Sequence, residues 1–133
     1  MAGTLESRTL SVRIDRTPSD VYDFVSDPEN FPKWATGLGS SIDMVGGEWI
    51  AQTLHGPTKV RFAERNTFGV LDHAVIPEVG AEVYIPMRVI ANGGGSEILF
   101  TLFRSPDMSE ANFAEDAAWV ERDLVSLKTL LEA

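Results

Sequence analysis

The chain has 133 residues, 44% hydrophobic and 23% charged, a length and mix that suit one ordinary domain and exclude disorder as the main state. Eleven basic residues against twenty acidic ones leave a formal charge of −9, so phosphate backbones are repelled and nucleic acid is not an expected partner. No cysteine is present, which excludes disulfides, thiolate nucleophiles and cysteine-based metal sites, and no apolar run approaches the roughly 18 residues of a membrane span.

Met1 to Glu6 lacks a basic stretch followed by an apolar one, so no signal peptide is read and a soluble, cytoplasmic domain is the expectation. Leu10, Val12 and Ile14 share one parity, as a half-buried strand requires. Thr17-Pro18-Ser19-Asp20 is a helix start: a hydroxyl cap, a proline in the first position and a carboxylate near the free N–H groups. Val21, Phe24 and Val25 give that helix its apolar face, and Asp27-Pro28-Glu29 repeats the signal for a second short helix carrying Phe31 and Trp34.

From 41 to 104 the pattern changes to strands. Turns at Gly46-Gly47, His55-Gly56-Pro57, Asn66 to Gly69, Pro77 to Gly80 and Asn92 to Gly95 divide this stretch into strands that pair antiparallel. Residues 109 to 133 form the clearest helix. Ser109 caps it, and Phe113, Ala117, Val120, Leu124, Leu127 and Leu131 fall within about ±40° of one line at 100° per residue. Glu121, Lys128 and Glu132 lie opposite, as a solvated face. The order is strand, two short helices, six strands and a long helix, which is an α+β domain over residues 1–133 with helices on one face of an antiparallel sheet.

Pairing across the turns separates the two faces of the sheet. The turn at 66–69 sets Phe62 opposite His73 and Val60 opposite Val75; the turn around Val79 sets Val75 opposite Val83, His73 opposite Ile85 and Leu71 opposite Met87. The turn at 92–95 sets Val89 opposite Ile98, Met87 opposite Phe100 and Ile85 opposite Leu102. Paired residues share a face, and every member of this set is apolar except His73. The other parity holds Lys59, Arg61, Asp72, Glu82, Arg88 and Glu97 and is a wet surface. For the strand at 48–54 two registers stand open: a three-residue turn turns Ile50 inward, and a four-residue turn does so for Trp49 and Ala51.

The stretch from Arg16 to Val25, followed by Asp27-Pro28-Glu29-Asn30-Phe31-Pro32-Lys33-Trp34, resembles the opening of the START-like (SRPBCC, helix-grip) superfamily of polyketide cyclases and aromatases, lipid-transfer domains and birch-pollen-allergen relatives. The element order matches over the whole chain. The resemblance implies a seven-stranded antiparallel sheet curled around the C-terminal helix, and an interior cavity with the two short helices at its mouth. It selects no function, because unrelated activities share the fold, and no subfamily's catalytic motif is found here.

His73 is the leading candidate for chemistry. An imidazole in an apolar cavity has its charged form disfavoured and serves as a base or as an anchor for a ligand carbonyl or phenol; the bland alternative is a core histidine bonded to a neighbouring backbone group or water. Asp72 points to the opposite face of the strand, so the two form no dyad. Trp34, Phe62, His73, Ile85, Met87, Phe100, Val120 and Leu124 are the expected lining of the cavity that the resemblance implies. Phe31 and Trp119 add aromatic surface, with Trp119 at the helix margin. The favoured ligand is then a small hydrophobic or aromatic molecule.

An enzyme of cyclase/aromatase or dehydratase type, using His73, is the alternative. It needs a second polar group, for which Tyr22, Asp43 and Gln52 are candidates. A protein-binding regulator acting through Tyr84, Leu99 and Phe103 on the outer face is a third reading, and that patch is either incidental or a homodimer contact. His55, in a Gly-Pro turn, is expected at the surface. No metal and no cofactor is expected. His55 and His73 sit on different elements, and neither Gly93-Gly94-Gly95-Ser96 nor Gly37-Leu38-Gly39-Ser40 precedes the lysine and helix of a phosphate loop. The absence of a Gly-x-Ser-x-Gly elbow argues against a serine hydrolase.

Overall fold

Thr17 caps the first helix as its sequence demands: its hydroxyl accepts from the Asp20 N–H at 3.2 Å, ahead of helix α1 at Pro18–Val25. The structure, a computed structural model, describes residues 3–36, 40–53 and 56–133. Asp27 caps a 3-10 turn at Pro28–Asn30 that runs into the short helix α2, Phe31–Trp34. Ser109 caps the long helix α3, Glu110–Glu132, by accepting from the Asn112 N–H at 3.1 Å. Among the described residues no helix is long and apolar enough to cross a membrane.

The strands are β1 Ser7–Ile14, β2 Ser41–Val45, β3 Glu48–Thr53, β4 Gly56–Phe62, β5 His73–Pro77, β6 Val83–Ile85, β7 Met87–Asn92 and β8 Gly95–Phe103. All neighbours pair antiparallel, in the orders β2-β3-β4-β5-β6 and β1-β8-β7. Phe62 faces His73, His73 faces Ile85, and Met87 faces Phe100, the registers read from the turns. Leu71 keeps its expected relation to Met87 through a backbone bond of 2.8 Å. In β3 the four-residue alternative holds: Trp49 pairs with Val60 and Ala51 with Thr58, and both pack on the core.

One expected strand is two. Residues 83 to 92 break at Pro86, so the described residues form eight strands where seven were read, in two sheets that share a continuous chain. Proline has no N–H for a ladder, although the Pro86 carbonyl still accepts from the Thr101 N–H at 3.0 Å. Glycine is required where the β4–β5 connection crosses β7. Gly69 has φ +72°, and a Cβ there would lie 2.3 Å from the Val89 carbonyl oxygen.

The stripe of α3 meets the sheet as its period implies, with Phe113, Ala117, Leu124, Leu127 and Leu131 buried. The opposite face is not merely solvated. Lys128 Nζ donates to the Arg13 carbonyl at 2.7 Å and Glu132 accepts from the Asp15 N–H at 2.8 Å, tying the end of α3 to the end of β1.

Candidate functional site

The two faces of β5 part their side chains as strand geometry dictates. Asp72, just before it, turns outward: its carboxylate accepts from the Tyr84 hydroxyl at 2.6 Å, the Met87 N–H at 2.9 Å and the Arg88 guanidinium. These three partners hold its carboxyl below the usual range although burial opposes them as the largest single influence. His73 turns inward and is buried, edge-on to Phe31 at 5.6 Å and Phe100 at 6.0 Å, with Phe62 at 6.2 Å. Its Nδ1 lies 3.1 Å from the Leu71 carbonyl. That contact places the proton of the neutral ring on Nδ1 and leaves Nε2 as an acceptor. Burial depresses its pKa, opposed by the Leu71 carbonyl and the Asp72 charge.

Two hollows flank this imidazole. A small one of about 20 Å³ is lined by Tyr22, Phe31, Trp34, Phe62, His73 and Met87 among others, room for about one water. A larger one of about 360 Å³ opens between α2, the strands and the first half of α3. Trp34, His73, Ile85, Phe100 and Val120 line it, with Phe31, Leu102 and Trp119. Phe31, Trp34 and His73 border both hollows and so form the wall between them. Of the expected lining residues, Phe62 and Met87 reach only the small hollow; Leu124 borders neither and lies in the core, next to a crevice beside β1. Trp119 sits at the helix margin, 42% exposed, with the Arg122 guanidinium 4.4 Å from its ring centre.

Two features of the site escape a reading by parity. The Trp34 indole Nε1 is buried without a hydrogen-bond partner among the described residues, an unusual state for a strong donor. The mouth of the larger hollow carries Glu115, Asp116 and Asp123, all from α3, and Asp123 accepts from the Thr36 hydroxyl at 2.7 Å. Partial burial, then repulsion from Glu115, pushes the Asp116 carboxyl upward. A helical wheel does hold a signal for this mouth: Asp116, Trp119 and Asp123 fall on one flank of the apolar stripe, about 60–120° from its centre.

Of the candidate partners of His73, Tyr22 borders the same small hollow without a recorded bond to the imidazole, and the other two lie apart. The Tyr22 hydroxyl accepts from the Asn66 N–H at 2.8 Å, and Asp43 and Gln52 are exposed. The turn spacing also sets Tyr84 opposite Phe103, but they are not ladder partners, because the break at Pro86 ends the ladder: Tyr84 pairs with Ala74, Leu99 lies between Ser11 and Arg88, and Phe103 pairs with Ser7. His55 and the stretch Gly37 to Gly39 lie outside the described residues. Among the described residues no group of three or more His, Cys, Asp or Glu side chains is arranged to hold a metal ion.

A family model described as polyketide cyclase/dehydrase and lipid transport matches residues 7–132. Among solved structures, XoxI from Bacillus cereus superposes with a TM-score of 0.75 at 14% identity, covering 96% of each chain. The Aha1 dimer protein from Colwellia psychrerythraea gives 0.74 at 14% identity, covering 96% of this chain and 97% of that one. DynU16, a protein of the dynemicin biosynthetic locus, gives 0.73 at 16% identity over 96% of this chain but 47% of its own. At such identities the likeness is one of fold. No curated protein matches the chain in sequence.

Proposed function

The chain belongs to the polyketide cyclase/dehydrase and lipid-transport family, and from that premise we propose that it binds a small apolar or aromatic molecule in the larger hollow, with neutral His73 as the internal anchor. The observation that carries this reading is the hollow itself: about 360 Å³, within the range of small-molecule sites, walled by aromatic and aliphatic side chains with few polar groups. An acceptor at His73 Nε2 suits a ligand hydroxyl or N–H. Binding is favoured over acid–base chemistry because, among the described residues, no second titratable side chain bonds to His73, whereas such catalysis works best with a matched pair of groups.

Titration with Nile red, a neutral hydrophobic fluorophore, tests this. Saturable binding at one site per chain is expected, with displacement by 2-naphthol and, more weakly, by naphthalene. His73→Ala should weaken the naphthol by about two- to tenfold, the worth of one hydrogen bond, and change the hydrocarbon much less. Absence of saturation, or equal losses for both compounds, defeats the proposal.

A further inference from the structure

Strand β1 ends one side of its sheet, and its pairing fixes where its backbone points. The Glu6 carbonyl accepts from the Arg104 N–H at 2.8 Å, and the antiparallel register with β8 continues from there through Arg8 with Leu102 and Leu10 with Phe100. Bonded and non-bonded pairs alternate along such a ladder. The even residues therefore bond to β8, and Ser7, Thr9, Ser11 and Arg13 direct their N–H and C=O groups away from it. Helix α3 covers the end of this edge: Lys128 Nζ donates to the Arg13 carbonyl, and Glu132 accepts from the Asp15 N–H. Among the described residues no hydrogen bond reaches the outward groups of Ser7, Thr9 and Ser11, and all three residues are exposed. A bare edge is a template for a further strand, and proteins ordinarily blunt it; here the blunting stops at Arg13.

Room for a further strand lies beside the edge. A crevice of about 300 Å³ separates Arg8 to Val12 from Glu121, Leu124 and Val125 of α3, and Val125 is 54% exposed. Arg8 and Glu121 both border it, and among the described residues neither enters a salt bridge. No residue lines both this crevice and the larger hollow.

Symmetry identifies what fits there. The open residues are centred on Thr9. An antiparallel copy of β1 with the same centre sets Thr9 against its counterpart and Ser7 against Ser11, each pair exchanging both backbone bonds, and it needs none of the groups that α3 holds. A shift of register either loses a pair or calls on the Arg13 carbonyl. In this register Arg8 stands opposite Leu10, so no like charges are directly opposed. Arg8 shares the inward face of Leu10 and Val12, and so enters the crevice whose far wall carries Glu121 of the other copy. We propose that a second copy of this chain joins here, β1 against β1 about a two-fold axis at Thr9, with reciprocal Arg8–Glu121 pairs closing the isologous seam.

Sedimentation equilibrium of the full chain from about 1 µM to 1 mM, the range in which short interfaces associate, should show a reversible monomer–dimer equilibrium. As concentration rises, the amides of Thr9 and Ser11 should gain protection from hydrogen exchange, while that of Leu10, already bonded to β8, changes little. Thr9→Pro removes a donor that points away from β8, a place where an edge tolerates proline, and should weaken the dimer at least about tenfold. Arg8→Glu should weaken it about tenfold, and Arg8→Glu/Glu121→Arg should return it to within about threefold of wild type. The charge exchange decides the matter even if Thr9→Pro disturbs folding. A chain that stays monomeric throughout overturns the inference. So does a dimer that Arg8→Glu leaves intact, one that the exchanged pair fails to restore, or one whose Thr9 and Ser11 amides exchange as fast as in the monomer.

Discussion

An imidazole enclosed by Phe31, Phe62 and Phe100 resists protonation, because the charged form loses its hydration and gains one carbonyl in return. The sign of the consequence follows from linkage. The folded pKa of His73 lies below its ordinary value of 6.5, so below that pH the unfolded chain takes up a proton that the folded chain refuses. The stabilisation is therefore complete above about pH 6.5 and is lost as pH falls toward the folded pKa. Urea denaturation between pH 7.5 and 5.5 should show wild type losing more stability than His73→Gln, the difference growing with acidity; parallel curves would place the ring in water. The inward course of His73 was legible from turn spacing alone, since parity assigns a face to every strand residue. The orphaned Trp34 donor was not, because whether an N–H finds an acceptor depends on atoms from several distant elements. The acidic mouth lay between, visible on the helical wheel but readable as an ordinary wet flank until α2 closes over it.

At the scale of elements, the site depends on how the chain crosses Pro86. The alternation from Val83 to Val89 runs through the proline unbroken, so the sequence reads as one strand. Proline removes a donor without changing parity, and the inner face survives while the ladder divides. Asp72 supplies the missing continuity. One carboxylate accepts from Tyr84 before the break and from Met87 and Arg88 after it, holding β6 and β7 in line behind His73. Its folded pKa is depressed, so this contribution is present above the unfolded carboxyl value of about 3.9 and fades as pH falls through the folded one. Asp72→Ala should lose about 2–4 kcal/mol, since it strands a backbone N–H and a guanidinium together, and Tyr84→Phe about 1 kcal/mol. Equilibrium urea unfolding at pH 7 measures both. Losses below about 0.5 kcal/mol for Asp72→Ala, the scatter of surface substitutions, would mean that β6 and β7 hold their alignment without the carboxylate.

Across the whole molecule, the proposed binding reading draws on the first half of α3, where Phe113 and Ala117 are also buried, and leaves the second half to packing alone. Leu124, Leu127 and Leu131 in its second half are almost fully buried and knit the helix to the sheet, whereas Val120 and the acids before it border the hollow. A chain that leaves space open in this way forgoes packing there, and a ligand that fills the space returns it as stability. At a free concentration about 100 times its dissociation constant, a ligand of the folded state adds about 2.7 kcal/mol, which for a chain of this size raises the melting temperature by roughly 10 °C. Val120→Phe projects a ring into existing space rather than into a packed core. It should therefore change the ligand-free stability by less than about 1 kcal/mol and abolish the shift. Leu127→Ala, in the other half, should lose about 2–5 kcal/mol and keep the full ligand increment. Thermal scans of the three proteins with and without 2-naphthol separate these effects. A Val120→Phe protein that still gains 10 °C or so with ligand would place the binding site away from α3, and a Leu127→Ala protein that loses the increment would mean that the two halves of the helix act as one unit.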